Sequence, residues 1–466
     1  MRITLKGEKG VMLLGEVEEG KNLRNKTKKR RSLKMKRMIG GLLAAGIIMV
    51  LPWGIGYVAQ EAAAQQTPEE VKIGVIYPIT GPLSSTGALY VQAYTLYTDL
   101  INSSYDIDSP GDIFRSEGLP NLGGAKIELI VADSEGKPDI GRSEAERLIT
   151  VKKVDVLMGA FQSAVTTTTS HAAERSGIPY VNPASSSPTL TQRGFKWFFR
   201  TGPDEWAYVG TIMHFLKYLN DTKEDIDIKT IATVCEDTLW GQDSAMVVRE
   251  MAPELGFEVI LDIAYPHEAT DVDAEVLRVK RANPDVIIMA SYIADAILFQ
   301  KTYKKYGVNI PIMANGTGHQ KPAFALNLGA DVNYVMSRQT WADSIIERNP
   351  IAKKINDLLV ERYGEKAQLT DTSARTYVGF MTLMDAINRA GSTEPEAIRR
   401  ALLKTDIPGR LLALPWDGVK FDPETHQNIY GRAMMIQYQD QVQKVIWPWE
   451  LTETEVIWHL PPWSER

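Results

Sequence analysis

Residues 71–87 read VKIGVIYPITGPLSSTG. Positions 73–77 form an apolar, β-branched run too short for a helix, and it leads into Gly81, Pro82 and the hydroxyls of Ser84, Ser85 and Thr86. From 88 to 103 the apolar residues recur at helical spacing. A strand without a polar face is covered on both sides, as in a parallel sheet flanked by helices. The same unit recurs along the chain. Strands are expected at 127–132, 154–159 and 179–182, with helices at 140–151 and 164–176. A second set has strands at 230–235, 259–264, 286–290 and 310–314 and helices at 242–255, 271–282 and 294–306. The fold class is therefore α/β, with two Rossmann-like lobes of parallel sheet that divide near residue 205. Loops leaving such strands gather at one end of the sheet, where small ligands bind.

After residue 330 the pattern changes to helices at 351–363, 373–390 and 395–405, then short strands around 419–421 and 432–438. The segment 445–466, rich in Trp and Pro, is expected to pack across a surface. Residues 105–124 are a polar Asp, Gly and Pro stretch of unusual length, read either as an insertion at a lobe edge or as part of an entrance.

The N-terminus reads as an export signal. Residues 28–37 (KKRRSLKMKR) are basic, 38–59 carry no charge, and Ala62, Ala63 and Ala64 offer a small-residue cleavage site. An uncleaved membrane anchor at 38–59 is the alternative. Residues 1–64 carry 13 Lys+Arg against 5 Asp+Glu, a net of +8; with −6 for the whole chain, the remainder carries −14. So acidic a body argues against nucleic acid as a partner, since phosphates need a basic surface. Cys235 is the only cysteine, which excludes an internal disulfide and, by its place in an apolar run, reads as a buried strand residue.

The loops that end strands carry the chemistry. Residues 159–170 (GAFQSAVTTTTS) put Ser163 ahead of a helix, and 182–194 (NPASSSPTLTQRG) supply Ser185, Ser186 and Ser187. Ser163 is either a helix N-cap or part of an anion site built from free backbone N–H groups and the helix dipole. Trp240 and Tyr292 follow strands of the second set. There is no G-x-S-x-G, no P-loop lysine and no metal-ligand spacing among the six histidines, so no enzyme, cofactor or metal is expected.

At these loops the chain resembles the type I periplasmic solute-binding proteins of the branched-chain amino-acid (Leu/Ile/Val-binding) family. The opening strand and loop, GAFQSA, IPYVNPASSSPTLTQRGFKWFFRTGPDE, LWGQD, PDVIIMASYIADAILFQKTYKKYG and the closing IWP carry the likeness, over about residues 71–447. The resemblance implies two α/β lobes joined by a three-segment hinge. Residues 71–204 and 336–425 would form lobe 1, 205–335 and 426–450 lobe 2, and 451–466 a tail. It implies a small-molecule ligand (an amino acid, amide or organic acid) between the lobes, held by Ser163, Ser185 and Ser186. Gln162 and Ala184 would stand beside them, Thr86, Trp240 and Tyr292 on the walls, and Ser187 beyond the pocket pair. It further implies a monomer outside the cytoplasm that serves the membrane permease of an ABC importer. A sensing module for a membrane receptor and a secreted α/β enzyme are the alternatives. Two departures matter: the family's ammonium-pairing glutamate falls at about Gly316, within MANGTGHQ, and the disulfide of some members has no cysteines here.

Overall fold

The computed structural model describes residues 68–448 and 450–466. The predicted signal, its cleavage site and the charge-free segment at 38–59 lie outside the described residues.

The first sheet is built from β1 (Glu70–Tyr77), followed by α1 (Ser84–Asn102), then β2 (Lys126–Asp133), α2 (Pro138–Arg147), β3 (Val156–Gly159), α3 (Ser163–Ser176), β4 (Tyr180–Asn182) and β5 (Phe198–Arg200). Its strand order is β2-β1-β3-β4-β5, parallel throughout. Ile73 faces Leu129 on one side and Val156 on the other, so β1 lies inside the sheet and its residues 73–77 are all buried. The second half of the chain continues with α4 (Glu205–Thr222), β6 (Thr230–Glu236), α5 (Leu239–Glu254), β7 (Glu258–Tyr265), α6 (Asp273–Ala282), β8 (Val286–Ala290), α7 (Ile293–Tyr306), β9 (Ile312–Ala314), α8 (Pro322–Leu328) and β10 (Met336–Gln339). These strands are parallel in the order β7-β6-β8-β9-β10.

The chain then adds α9 (Pro350–Tyr363), α10 (Asp371–Ala390) and α11 (Pro395–Leu403), which return to the first lobe. There the Tyr97 hydroxyl of α1 donates to the Ser373 carbonyl at 2.8 Å, and the Tyr97 and Tyr377 rings meet edge to face at 5.5 Å. A small ribbon, β11 (Asp406–Pro408) with β12 (Gly418–Lys420), precedes β13 (Met434–Gln439) and β14 (Val442–Trp447), an antiparallel pair that completes the second sheet beside β10.

Three connections therefore pass between the lobes: one between β5 and α4, one after β10, and one before β13. The expected boundaries need two corrections. Residues 336–339 belong to lobe 2, because Met336 pairs with Met313 of β9 and with Gln437 of β13. Residues 426–428 stay with lobe 1, because Gln427 bridges Arg200 and Asn428 bridges Phe421. The C-terminal segment packs on lobe 2, where Ile457 exchanges two hydrogen bonds with the Gln437 side chain and the Trp463 indole donates to the Val308 carbonyl. Residues 445–447 are not part of it but finish β14.

The 105–124 segment is a lobe-edge insertion. Ile113 and Phe114 are buried in the core, Asn121 N–H donates to Asn388 of α10 at 2.9 Å, and none of its residues lines the inter-lobe cleft.

Candidate functional site

Each sheet reverses its direction of winding once. In the first, the chain goes from β1 to β2 and then places β3 on the other side of β1; in the second, β8 lies across β6 from β7. Loops that leave strands on the two sides of such a switch diverge and leave a crevice. The loop after β3 supplies Phe161 and Ser163, the start of α5 after β6 supplies Trp240, and the loop after β8 supplies Tyr292. The two crevices face each other, and about 320 Å³ of empty space, part of it open to solvent, lies among the side chains between them. Ala184, Ser186, Tyr208, Thr317, Arg338 and Arg375 complete the lining.

Lobe 1 contributes the hydroxyl loops. Asn182, fully buried at the end of β4, accepts the N–H groups of Ala184 and Ser185 and thereby shapes the triple-serine turn. Ser186 donates across to Glu205 Oε1 at 2.5 Å. Glu205, with no exposed surface, begins α4, where the positive end of the helix dipole favours a carboxylate. It also accepts from Trp240 Nε1 (2.9 Å), Ser244 Oγ (2.8 Å) and Asn315 Nδ2 (2.5 Å). Two donors on each oxygen fill the carboxylate.

A second polar hub ties the lobes at the other end of the cleft. Asp371 and Arg375, one helical turn apart on α10 and both buried, form an ion pair at 2.8 Å. Asp371 also accepts from Thr340 N (2.8 Å) and from Gln320 Nε2 (2.9 Å), while Lys321 donates to Thr372. Burial by itself would raise the Asp371 carboxyl, but Arg375 and Thr340 outweigh it and hold it at about 2. Burial pushes the Lys321 ammonium down to about 7.

A family model described as "Periplasmic binding protein" matches residues 70–441. The chain belongs to the periplasmic binding protein family. Leu/Ile/Val-binding protein homolog 7 of Brucella abortus (strain 2308) is 26% identical to it over 396 residues, covering 84% of this chain and 94% of that protein. The leucine-binding protein LivK of Thermotoga maritima superposes with a TM-score of 0.68 at 22% identity, covering 80% of this chain and 97% of the other. A solute-binding protein of an R. palustris ABC transporter, solved with benzoate, superposes with a TM-score of 0.67 at 16% identity, covering 81% and 95%. The fold is thus the two-lobed type I form, and the protein is a periplasmic solute-binding protein by family. Family membership implies a location outside the cytoplasm. Among the described residues no helix is long and apolar enough to cross a membrane.

Of the residues singled out from the sequence of this periplasmic binding protein, Ser163, Ala184, Ser186, Trp240 and Tyr292 line the cleft. Four others stand outside the lining. Ser185 turns inward, where its hydroxyl lies 2.6 Å from that of Thr166 and donates to the Ala160 and Phe161 carbonyls at 2.9 and 3.1 Å. Thr86 is buried in the first turn of α1, and Gln162 spends its amide on the Gly136 carbonyl at 3.0 Å. Gly316 lies behind the lining, with a φ of +66°, and a Cβ there would meet Arg338 Nη1 at 2.6 Å. The position expected from the family to hold a glutamate instead makes room for a guanidinium.

Two further differences concern serines. Ser163 is the first residue of α3 and its side chain caps no helix; its Oγ accepts the Ser187 N–H at 3.3 Å. Ser187, expected beyond the pocket pair, does not line the cleft but joins the lobes, donating its hydroxyl to Asp243 of α5.

Sequence reasoning missed Arg338, Arg375, Tyr208, Phe161 and Thr317. Arg375 left a signal, an arginine with Asp371 four residues before it at the start of a helix with a long apolar middle, the pattern of a buried ion pair. Phe161 sits inside the GAFQSA loop itself. Arg338 left none, because β10 is short and polar (MSRQ).

Proposed function

We propose that this protein is the solute receptor of an ABC importer, which captures a small polar solute between its lobes and presents the closed form to a separate membrane permease. The observation that carries this reading is the lining itself: Phe161, Ser163, Ala184, Ser186 and Arg375 come from lobe 1, and Trp240, Tyr292, Thr317 and Arg338 from lobe 2. A solute that touches both walls favours the closed form by its differential contacts. Ser163 and Ser186 supply hydroxyls, and the Phe161 and Tyr292 rings meet edge to face across the lobes at 5.7 Å, with Trp240 5.0 Å behind. The chain acts as a monomer, exported by the segment at 38–59 and cut near Ala64.

The likeness to a leucine-binding protein and to a benzoate-bound one supports a ligand within the range of amino acids, amides and organic acids. Thermal-shift screening of those three classes, followed by calorimetry, tests the reading. At least one class should bind at one solute per chain, and Trp240→Ala should abolish it. Failure of every class, or chemical turnover of a bound solute, would contradict it.

A further inference from the structure

The cleft lining holds two guanidinium groups and, among the described residues, no carboxylate. The two are not equivalent. Arg375 is spent: it pairs with Asp371 at 2.8 Å and donates to the carbonyls of Pro183 and Ala184 at 3.1 and 3.2 Å. Arg338 is 3% exposed, yet among the described residues it makes no ion pair, and the only hydrogen bond of its guanidinium runs from Nε to Asn315 Oδ1 at 2.7 Å. The Tyr208 ring lies under its guanidinium carbon at 3.3 Å. Nε is anchored, one face is stacked and both Nη groups are left over, which is the fork that a carboxylate fits with two parallel hydrogen bonds. Gly316 is the backbone condition for this placement, since any side chain there would displace Nη1.

A buried cation without a partner is costly, and the nearest acid does not provide one. Glu205 reaches Arg338 only through Asn315, and both its oxygens are filled. The same saturation leaves no free carboxylate in the lining to pair with a ligand ammonium group. Resting on the reading of the cleft as a solute site, we propose that it selects an anion: a monocarboxylate with an apolar body and no ammonium group, its carboxylate held by the two Nη groups of Arg338. Phe161, Tyr208, Trp240 and Tyr292 would pack on the body, which favours a branched aliphatic or aromatic acid.

Calorimetric titration with four probes tests this: benzoate, isocaproate (leucine without its amino group), isocaproamide and L-leucine. One of the two acids should bind at least about tenfold more tightly than L-leucine and the amide. Arg338→Gln should lower that acid's affinity by about tenfold to a hundredfold, the range for hydrogen bonds to a charged group. Arg338→Lys should recover part of it. Thermal melts report whether each variant folds; if Arg338→Gln does not, the ranking of the four probes on the wild-type protein decides. Tighter binding of L-leucine or the amide, or undiminished acid binding by folded Arg338→Gln, overturns the inference while leaving the solute-binding reading standing. A wild-type chain that binds none of the four also overturns it, and the wider screen above then judges the solute-binding reading separately.

Discussion

Replacing Glu205 by glutamine keeps the shape of the hub and changes one acceptor into a donor. The four groups that now donate to the carboxylate are Ser186 and Trp240 on Oε1 and Ser244 and Asn315 on Oε2. Whichever way the amide sits, its NH2 faces one hydroxyl and one N–H. The hydroxyl can turn and accept; the indole N–H of Trp240 cannot, and Asn315 can flip only by withdrawing its oxygen from Arg338. One rigid buried donor is thus stranded, at about 1–3 kcal/mol, and the two bonds that survive on the amide oxygen fall from charged to neutral strength, about 1 kcal/mol each. Glu205→Gln should therefore destabilise the protein by about 3–5 kcal/mol, read as the shift in urea midpoint followed by tryptophan fluorescence. A variant within about 0.5 kcal/mol of wild type, the size of an ordinary surface change, would refute the hub as drawn.

Other substitutions separate roles in the same cleft. Ser163→Ala should weaken the cognate solute about tenfold or more in calorimetry, and because Ser187 N–H loses its acceptor it should also cost about 1 kcal/mol in urea unfolding; unchanged affinity would remove Ser163 from the pocket. Ser187→Ala removes a bond between the lobes and should weaken solute affinity in the same titrations by disfavouring the closed form; unchanged affinity would count against it. Lys321 titrates at about 7 when folded, below the ordinary lysine value of about 10.4. The folded chain then binds fewer protons than the unfolded one between those values, so this group makes stability rise from pH 7 to 10. Lys321→Met should flatten that rise relative to wild type; parallel pH profiles for the two proteins would count against it.

Much of the architecture was legible because apolar runs end at hydroxyl loops. The strands read from 73–77, 127–132, 230–235 and 286–290 lie within β1, β2, β6 and β8. Polar elements at the cleft end escaped. β5 (FFR) and β10 (MSRQ) each bury an arginine that pattern reading takes for surface, and α4 is buried from Tyr208 to Met213 without a break, so it shows no amphipathic stripe. The hydroxyl side of the site was visible for the same reason that the loops were. Of its cationic side only the Asp371–Arg375 spacing left a trace, since Arg338 arrives on a short polar strand that gives no apolar signal.

The most direct test is small-angle scattering on the protein, with and without a solute that calorimetry has shown to bind. Capture between hinged lobes predicts a radius of gyration that falls at saturating solute. A bound solute that leaves the scattering profile unchanged would contradict it.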